Sequence, residues 1–366
     1  MKLSLNGMKA ATDLTRSGKL IEATALIQRL LSKDATRQPH KYQAAPWQQV
    51  KLPSTVLDRA PETDAATAKD QGSQKTKPQD LNEQGQFESI KFTSALGQRS
   101  YKLFTPSRST NAPMPLVVML HGCTQTPDDF AAGTQMNILA EQFGFVVAYP
   151  AQSSSANSMG CWNWFNSADQ QRDKGEPGLI AGIARQIMAD YDIDTKQVYV
   201  AGLSAGGAMA AVLGMTYPDL FAAIGIHSGI SCGAATDVVS ALRIMKRGAS
   251  HVTMPTSSRP VPTIVFHGDR DRTVNPSNAD DVLEQFDLAG ASAQYVTTSE
   301  KSADGMGYTK SVQLNDAGIA VFEKWLIHGA GHAWSGGSTG GSYTEPRGPD
   351  ASCEMIRFFL EHRLAN

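Results

Sequence analysis

The chain has 366 residues, 41% of them hydrophobic and 19% charged, and 33 Lys and Arg against 35 Asp and Glu leave a formal net charge of −2. That length accommodates one large α/β domain with an appendage, or two smaller domains. The near-even charge excludes an electrostatic case for nucleic acid or an anionic membrane, and no apolar run approaches the roughly 20 residues of a membrane span.

The N-terminal stretch "MKLSLNGMKAATDLTRSGKLIEATALIQRLL" does not read as a secretory signal, because Lys9, Asp13, Arg16 and Lys19 interrupt every apolar window. The expectation is a cytoplasmic protein, or an extracellular one if a leader has been removed. Residues 1–33 set Leu20, Ala23, Ile27, Leu30 and Leu31 at helical spacing, broken near Gly18, which predicts two short amphipathic helices. Residues 34–86, including "RAPETDAATAKDQGSQKTKPQDLNEQGQ", offer little to bury and read as a polar linker. Regular structure then fills residues 87–366.

"FESIKFTSALGQRSYKLFTP" alternates about a short turn and predicts a hairpin. "PLVVMLHG", "FVVAYP", "VYVAGLS", "AAIGIHSG" and "PTIVFHGD" are continuous apolar runs, as in strands buried on both faces. Helical stretches lie between them, near 128–142, 178–191, 205–216 and 277–288. "GIAVFEKWLIHGAGH" adds a last strand and "DASCEMIRFFLEHRL" a closing helix. The alternation predicts an α/β fold with a mostly parallel central sheet and helices on both faces.

"VYVAGLSAGGAM" carries a Gly-x-Ser-x-Gly between a buried strand and a helix. A turn that tight leaves no room for side chains, so Gly202 and Gly206 flank Ser204 and hold it at the carboxyl edge of the sheet. Its hydroxyl then stands at a helix N-terminus, where amides favour developing negative charge. A serine nucleophile needs a base, and in this arrangement an acid and then a histidine should follow it in the chain. "VFHGDRDRTV" offers Asp269 and Asp271. Asp271 is favoured because Val274 can anchor its loop to the core, whereas Asp269 suits the turn. "HGAGHAWSGG" offers His328 and His332, of which His332 is favoured because it lies beyond the strand in a Gly-rich loop. His40, His227, His251, His267 and His362 read as structural or surface residues. The oxyanion hole calls for two backbone amides, Ala205 and one from the loop after "VVMLHG", Cys123 or Thr124, with Cys123 preferred.

The four cysteines, Cys123, Cys161, Cys232 and Cys353, show no metal-binding spacing, so no zinc or other metal site is expected. They read as buried free thiols of a cytoplasmic chain, with disulfides as the alternative. "MGCWNWFNSADQQRDKGEPGLIAGI" is an aromatic loop ahead of a helix. Trp162, Trp164 and Trp334 are candidates for an aromatic substrate-binding rim, with core packing the alternative. "RDKGEP" reads as a helix start rather than a second catalytic carboxylate.

"LHGCTQTPDDFAAGTQMNILAEQFGFVVAYPAQ", "CWNWF", the elbow segment through "IGIHSG", "FHGDRDRTV" and "GAGHAWSGG" together resemble the polyhydroxybutyrate depolymerase family of esterases, over about residues 88–363. That family is related to feruloyl and acetylxylan esterases. The resemblance implies an α/β-hydrolase fold and a Ser204–Asp271–His332 triad, with neither metal nor organic cofactor. It implies Cys123 and Cys161 close together at the mouth of the site. It also implies short-chain hydroxyacyl ester or polyester substrates, with an insoluble polymer surface as a partner. The alternatives are a feruloyl or acetylxylan type of carbohydrate esterase and a non-catalytic granule-binding protein of the same fold.

Overall fold

The structure is a computed structural model that describes residues 85–107, 112–249, 259, 261–286 and 295–365. The helical segment expected over 1–33 and the linker expected over 34–86 lie outside these residues, apart from Gly85 and Gln86. A hairpin of β1 (Gln86–Ser94) and β2 (Gly97–Thr105) leads into β3 (Met114–Leu120), α1 (Pro127–Thr134), α2 (Met136–Phe143) and β4 (Val146–Pro150). Next come α3 (Gly175–Asp190), β5 (Ile193–Leu203), α4 (Ala205–Thr216), β6 (Ala223–His227), α5 (Val238–Arg247), β7 (Thr263–Gly268) and α6 (Asn278–Phe286). The chain continues through β8 (Tyr295–Lys301), β9 (Gly307–Leu314), β10 (Ala320–Ile327), β11 (Trp334–Ser335), β12 (Thr344–Glu345) and α7 (Ala351–Leu360).

Ten of the described strands form one sheet in the order β1-β2-β4-β3-β5-β6-β7-β10-β9-β8. The six central strands, β4 to β10 in that order, run parallel, and an antiparallel hairpin closes each edge. The continuous apolar runs have a simple cause. Successive side chains of a strand point to opposite faces, and both faces here are covered. Leu116, Val118 and Leu120 join one core with residues of α3 and α4. Val117 and Met119 join the other, with residues of α1 and α7. Every residue of α4 from Ala205 to Gly214 is buried, so this helix lies inside the protein rather than on it.

The expected single helix near 128–142 is two. Gln135 takes left-handed φ and ψ of 55° and 22°, and its amide bonds back to Ala131 O, so α1 is closed before α2 starts. The expected free thiols are also corrected for one pair, since Cys123 and Cys161 form a disulfide, leaving Cys232 and Cys353 free. Helix α5, the β8–β9 hairpin and the short β11–β12 ladder were not legible as apolar patterns. Among the described residues no helix is long and apolar enough to cross a membrane.

Candidate active site

Strand β5 runs straight into α4 with one residue between them. Ser204 has φ 56° and ψ −117°, a conformation that costs an L-residue on the order of 1–3 kcal/mol. Its surroundings impose it. The Ser204 amide donates to His227 O at 2.9 Å, and its carbonyl accepts from the amide of Ala208 at 2.9 Å. A Cβ on Gly202 would lie 2.4 Å from Gly206 C, and one on Gly206 would lie 2.0 Å from Leu120 O. Both atoms belong to backbone, so neither glycine tolerates a side chain. The Ser204 hydroxyl makes no capping hydrogen bond to its own helix and has no partner among the described residues.

Four residues of the next loops are paired two by two. After β7, Asp271 Oδ1 accepts the amides of Thr273 (2.8 Å) and Val274 (2.9 Å), and its Oδ2 accepts from His332 Nδ1 at 2.6 Å. Val274 is 1% exposed and holds the loop to the core. Outside this pair, His328 Nδ1 meets Asp269 Oδ2 at 3.2 Å, with both side chains partly exposed. The amide of Gly329 bonds Asp269 Oδ1 at 2.7 Å. The amides of Asp269 and Arg270 bond Ile327 O and Ala330 O, each at 3.0 Å. The loops bearing Asp271 and His332 are therefore laced together at the ends of neighbouring parallel strands. Burial alone would push the Asp271 carboxyl up, but hydrogen bonds from His267 and His332 outweigh it and hold the group well below the usual carboxylate range.

His227 joins the segment just after His332 to the elbow, a role that nothing in the sequence signalled. Its carbonyl takes the Ser204 amide, and its Nε2 accepts the amide of Ser335 at 3.0 Å. Its Nδ1 therefore carries the proton and donates to Ser228 Oγ at 3.1 Å. Complete burial holds this ring well below the ordinary histidine range, so it stays neutral.

The loop after β3 is fixed from several sides. Gln125 is buried and accepts the Gly122 amide through Oε1 at 2.9 Å, while its Nε2 donates to Asp129 Oδ2 (2.9 Å) and Ser342 O (3.1 Å). Ser342 in turn donates its amide and hydroxyl to Asp129, so the segment after His332 is clasped onto α1. His121 accepts the Gln152 amide at Nε2 (3.2 Å) and donates from Nδ1 to Gly122 O (2.8 Å). The amide of Thr124 is already bonded to Met159 O at 2.8 Å. Those of Cys123 and Ala205 have no partner among the described residues.

The tryptophan rim is corrected. Trp162 and Trp334 are 0% and 1% exposed and Trp164 is 7% exposed, so all three belong to the cores. Trp162 donates its Nε1–H to His121 O at 3.1 Å. The Gly-rich loop holds Trp334 inward, against Phe130 (5.4 Å between rings) and His227 (5.2 Å), with Nε1 donating to Ser352 Oγ at 3.0 Å. The aromatic that does reach solvent on this segment is Tyr343, 46% exposed. It has a left-handed φ of 54°, and its hydroxyl lies 3.1 Å from Thr124 Oγ1. "RDKGEP" does start helix α3, but its Glu176 is buried. It accepts from the Asn163 amide (2.7 Å) and Nδ2 (2.8 Å) and from Gln152, and lies 3.6 Å from Arg99 Nη2.

Residues 99–303, more than half of the chain, match the family model described as esterase PHB depolymerase. The chain belongs to that family. The matched span holds Ser204 and Asp271 and ends before His332. Among relatives, the chain is 35% identical over 232 residues to a poly(3-hydroxyalkanoate) depolymerase C of Paucimonas lemoignei, covering 60% of this chain and 55% of that one. It is 31% identical over 202 residues to an acetylxylan esterase A of Aspergillus ficuum, covering 50% and 65%. The chain spans about half the length of the first of these relatives. Of solved structures, an acetyl xylan esterase from Aspergillus awamori superposes with a TM-score of 0.58 at 21% identity, over 76% of this chain and all of that one. At that identity the likeness speaks for the fold, an α/β-hydrolase fold.

Proposed function

We propose that the protein is a serine esterase acting on short-chain hydroxyacyl esters and polyesters, with Ser204 as nucleophile, His332 as base and Asp271 as the acid behind it. The observation that carries this reading is the 2.6 Å bond from His332 Nδ1 to the buried Asp271, beside a serine held at φ 56° between a buried strand and helix whose amide bonds His227, the residue that also takes the Ser335 amide. Because Nδ1 gives its proton to Asp271, the Nε2 of His332 carries the lone pair. That nitrogen takes the Ser204 proton as the hydroxyl attacks the ester carbonyl. The oxyanion rests on the amides of Cys123 and Ala205, whose lack of an internal partner supports them over Thr124. His332 then protonates the departing alcohol, and water, deprotonated by the same nitrogen, releases the acid from the acyl-enzyme. Asp271 holds the imidazole tautomer and offsets the charge of its protonated form.

The 35% identity to a polyhydroxyalkanoate depolymerase supports the polyester reading. The acetylxylan esterase relative supports a second one, removal of acetyl groups from a carbohydrate. The Cys123–Cys161 disulfide supports an oxidising compartment over the cytoplasm. A panel of p-nitrophenyl acetate, butyrate and decanoate, amorphous polyhydroxybutyrate and acetylated xylan tests the reading. Butyrate and polymer turned over faster than acetylated xylan, with no turnover by Ser204→Ala, is the expected result. Faster action on acetylated xylan gives the second reading, and equal rates for parent and Ser204→Ala defeat both.

A further inference from the structure

Asp271 has a second imidazole beside it. His267, the residue before the end of β7, is 0% exposed. Its Nε2 lies 3.0 Å from Val274 O and 3.4 Å from Asp271 Oδ2. Its Nδ1 is buried with no partner among the described residues. A carbonyl oxygen only accepts, so Nε2 must carry the hydrogen, which bonds that carbonyl, with the carboxylate oxygen 3.4 Å away beside it. A proton on Nδ1 as well would bury an unpaired charged N–H, which the site disfavours strongly.

The titratable groups facing Asp271 are His267 from β7, His227 from the end of β6 and His332 from the loop after β10. Arg270 and Arg272 beside it are exposed, and the Asp269–His328 pair spans the same two loops. His227 uses its Nε2 as an acceptor, and His267 has no partner for a second proton. His332, with its side chain 13% exposed, is the one of the three whose ring reaches solvent.

We propose that His267 is a positioning residue for the Ser204–His332–Asp271 unit: a buried imidazole whose Nε2–H, anchored on Val274 O and 3.4 Å from Asp271 Oδ2, sets how tightly that carboxylate grips His332. This rests on the triad reading above. Without the His267 hydrogen, the carboxylate would concentrate more charge on His332 and favour its protonated form. The base would then become available only at higher pH.

Two measurements test it. In the full-length parent, nitrogen-15 NMR of labelled histidines should find the His267 hydrogen on Nε2. A hydrogen on Nδ1 overturns the proposal. In p-nitrophenyl butyrate hydrolysis, His267→Phe should move the acid limb of kcat/KM upward by about half a pH unit or more. KM should stay unchanged, and His267→Gln, which keeps an amide donor, should restore the limb. A folded His267→Phe with the parent's limb overturns it as well. Should that variant fail to fold, the parent's tautomer decides. Failure of the triad reading is seen separately, as activity surviving in Ser204→Ala, and leaves the NMR result intact.

Discussion

Cys123 is joined by a disulfide to Cys161, 38 residues further along. The residue whose amide lacks an internal partner is thereby tied to the loop that also carries Met159, which holds the Thr124 amide. Closing a loop of that length is worth about 4 kcal/mol through the unfolded chain. Reduction should therefore lower the unfolding temperature. It should also lower kcat more than it alters KM, because a displaced oxyanion donor is missed chiefly in the transition state, where losing one costs about 10²–10³-fold. Activity and melting temperature with and without dithiothreitol are the measurement. Full activity in reductant would mean the loop is held by Gln125 and Met159 alone.

The two aspartates should separate cleanly. Asp271→Asn should lower kcat by about 10⁴-fold, since an amide fixes the wrong imidazole tautomer. Asp269→Asn alters the partly exposed pair with His328, keeps an oxygen for the Gly329 amide, and should cost less than about tenfold. The pH dependence of stability has a defined sign. Hydrogen bonds hold the Asp271 carboxyl below its usual value despite burial. Its contribution is therefore complete above about pH 4, the unfolded value, and is lost as pH falls further. Thermal unfolding of Asp271→Asn should accordingly fall less steeply than the parent's below pH 4.

Much of this site could be read from the sequence because its constraints are local. Gly202, Ser204 and Gly206 are contiguous, and the turn's geometry dictates the residues. Asp271 and His332 follow buried strands whose apolar runs are unmistakable. What escaped depends on distance in the chain. His227 and His267 sit inside apolar strands and look like any other polar residue there, since their partners are Ser335, Asp271 and Val274. The tryptophans misled for the converse reason. A Gly-rich loop offers no visible core, but Phe130 and Ser352, far off in sequence, supply one for Trp334. Glu176 was legible as a helix start, yet not as a buried anchor.

Glu176 should matter for stability in a way its place at a helix start does not suggest. It lies beside the buried Arg99 and takes hydrogen bonds from Asn163 and Gln152. Glu176→Ala leaves Arg99 without its ion-pair partner and frees the 152–163 segment, at a cost of about 3–5 kcal/mol. Chemical unfolding would measure it. The Gln152 amide is also a partner of His121, so kcat should fall along with stability. A loss under about 1 kcal/mol would show that water reaches Arg99 in the variant.

Trp334 is buried, whereas Tyr343 on the same segment is exposed, so the two should respond differently to truncation. Trp334→Ala removes a fully buried ring packed on Phe130 and His227 and should cost about 3–5 kcal/mol. Its effect should appear in unfolding temperature and kcat, because the ring supports the segment just beyond His332, while KM for a short ester stays close to the parent's. Tyr343 is 46% exposed beside Thr124, the residue after Cys123. Tyr343→Ala should change stability by less than about 1 kcal/mol. It should raise KM for p-nitrophenyl butyrate and leave kcat nearly unaltered, as for an interaction made equally in ground and transition states. Tyr343→Phe keeps the ring and loses only the bond to Thr124, so it should stay near the parent. If Tyr343→Ala leaves KM untouched for acetate, butyrate and polymer alike, substrate does not lie along this edge.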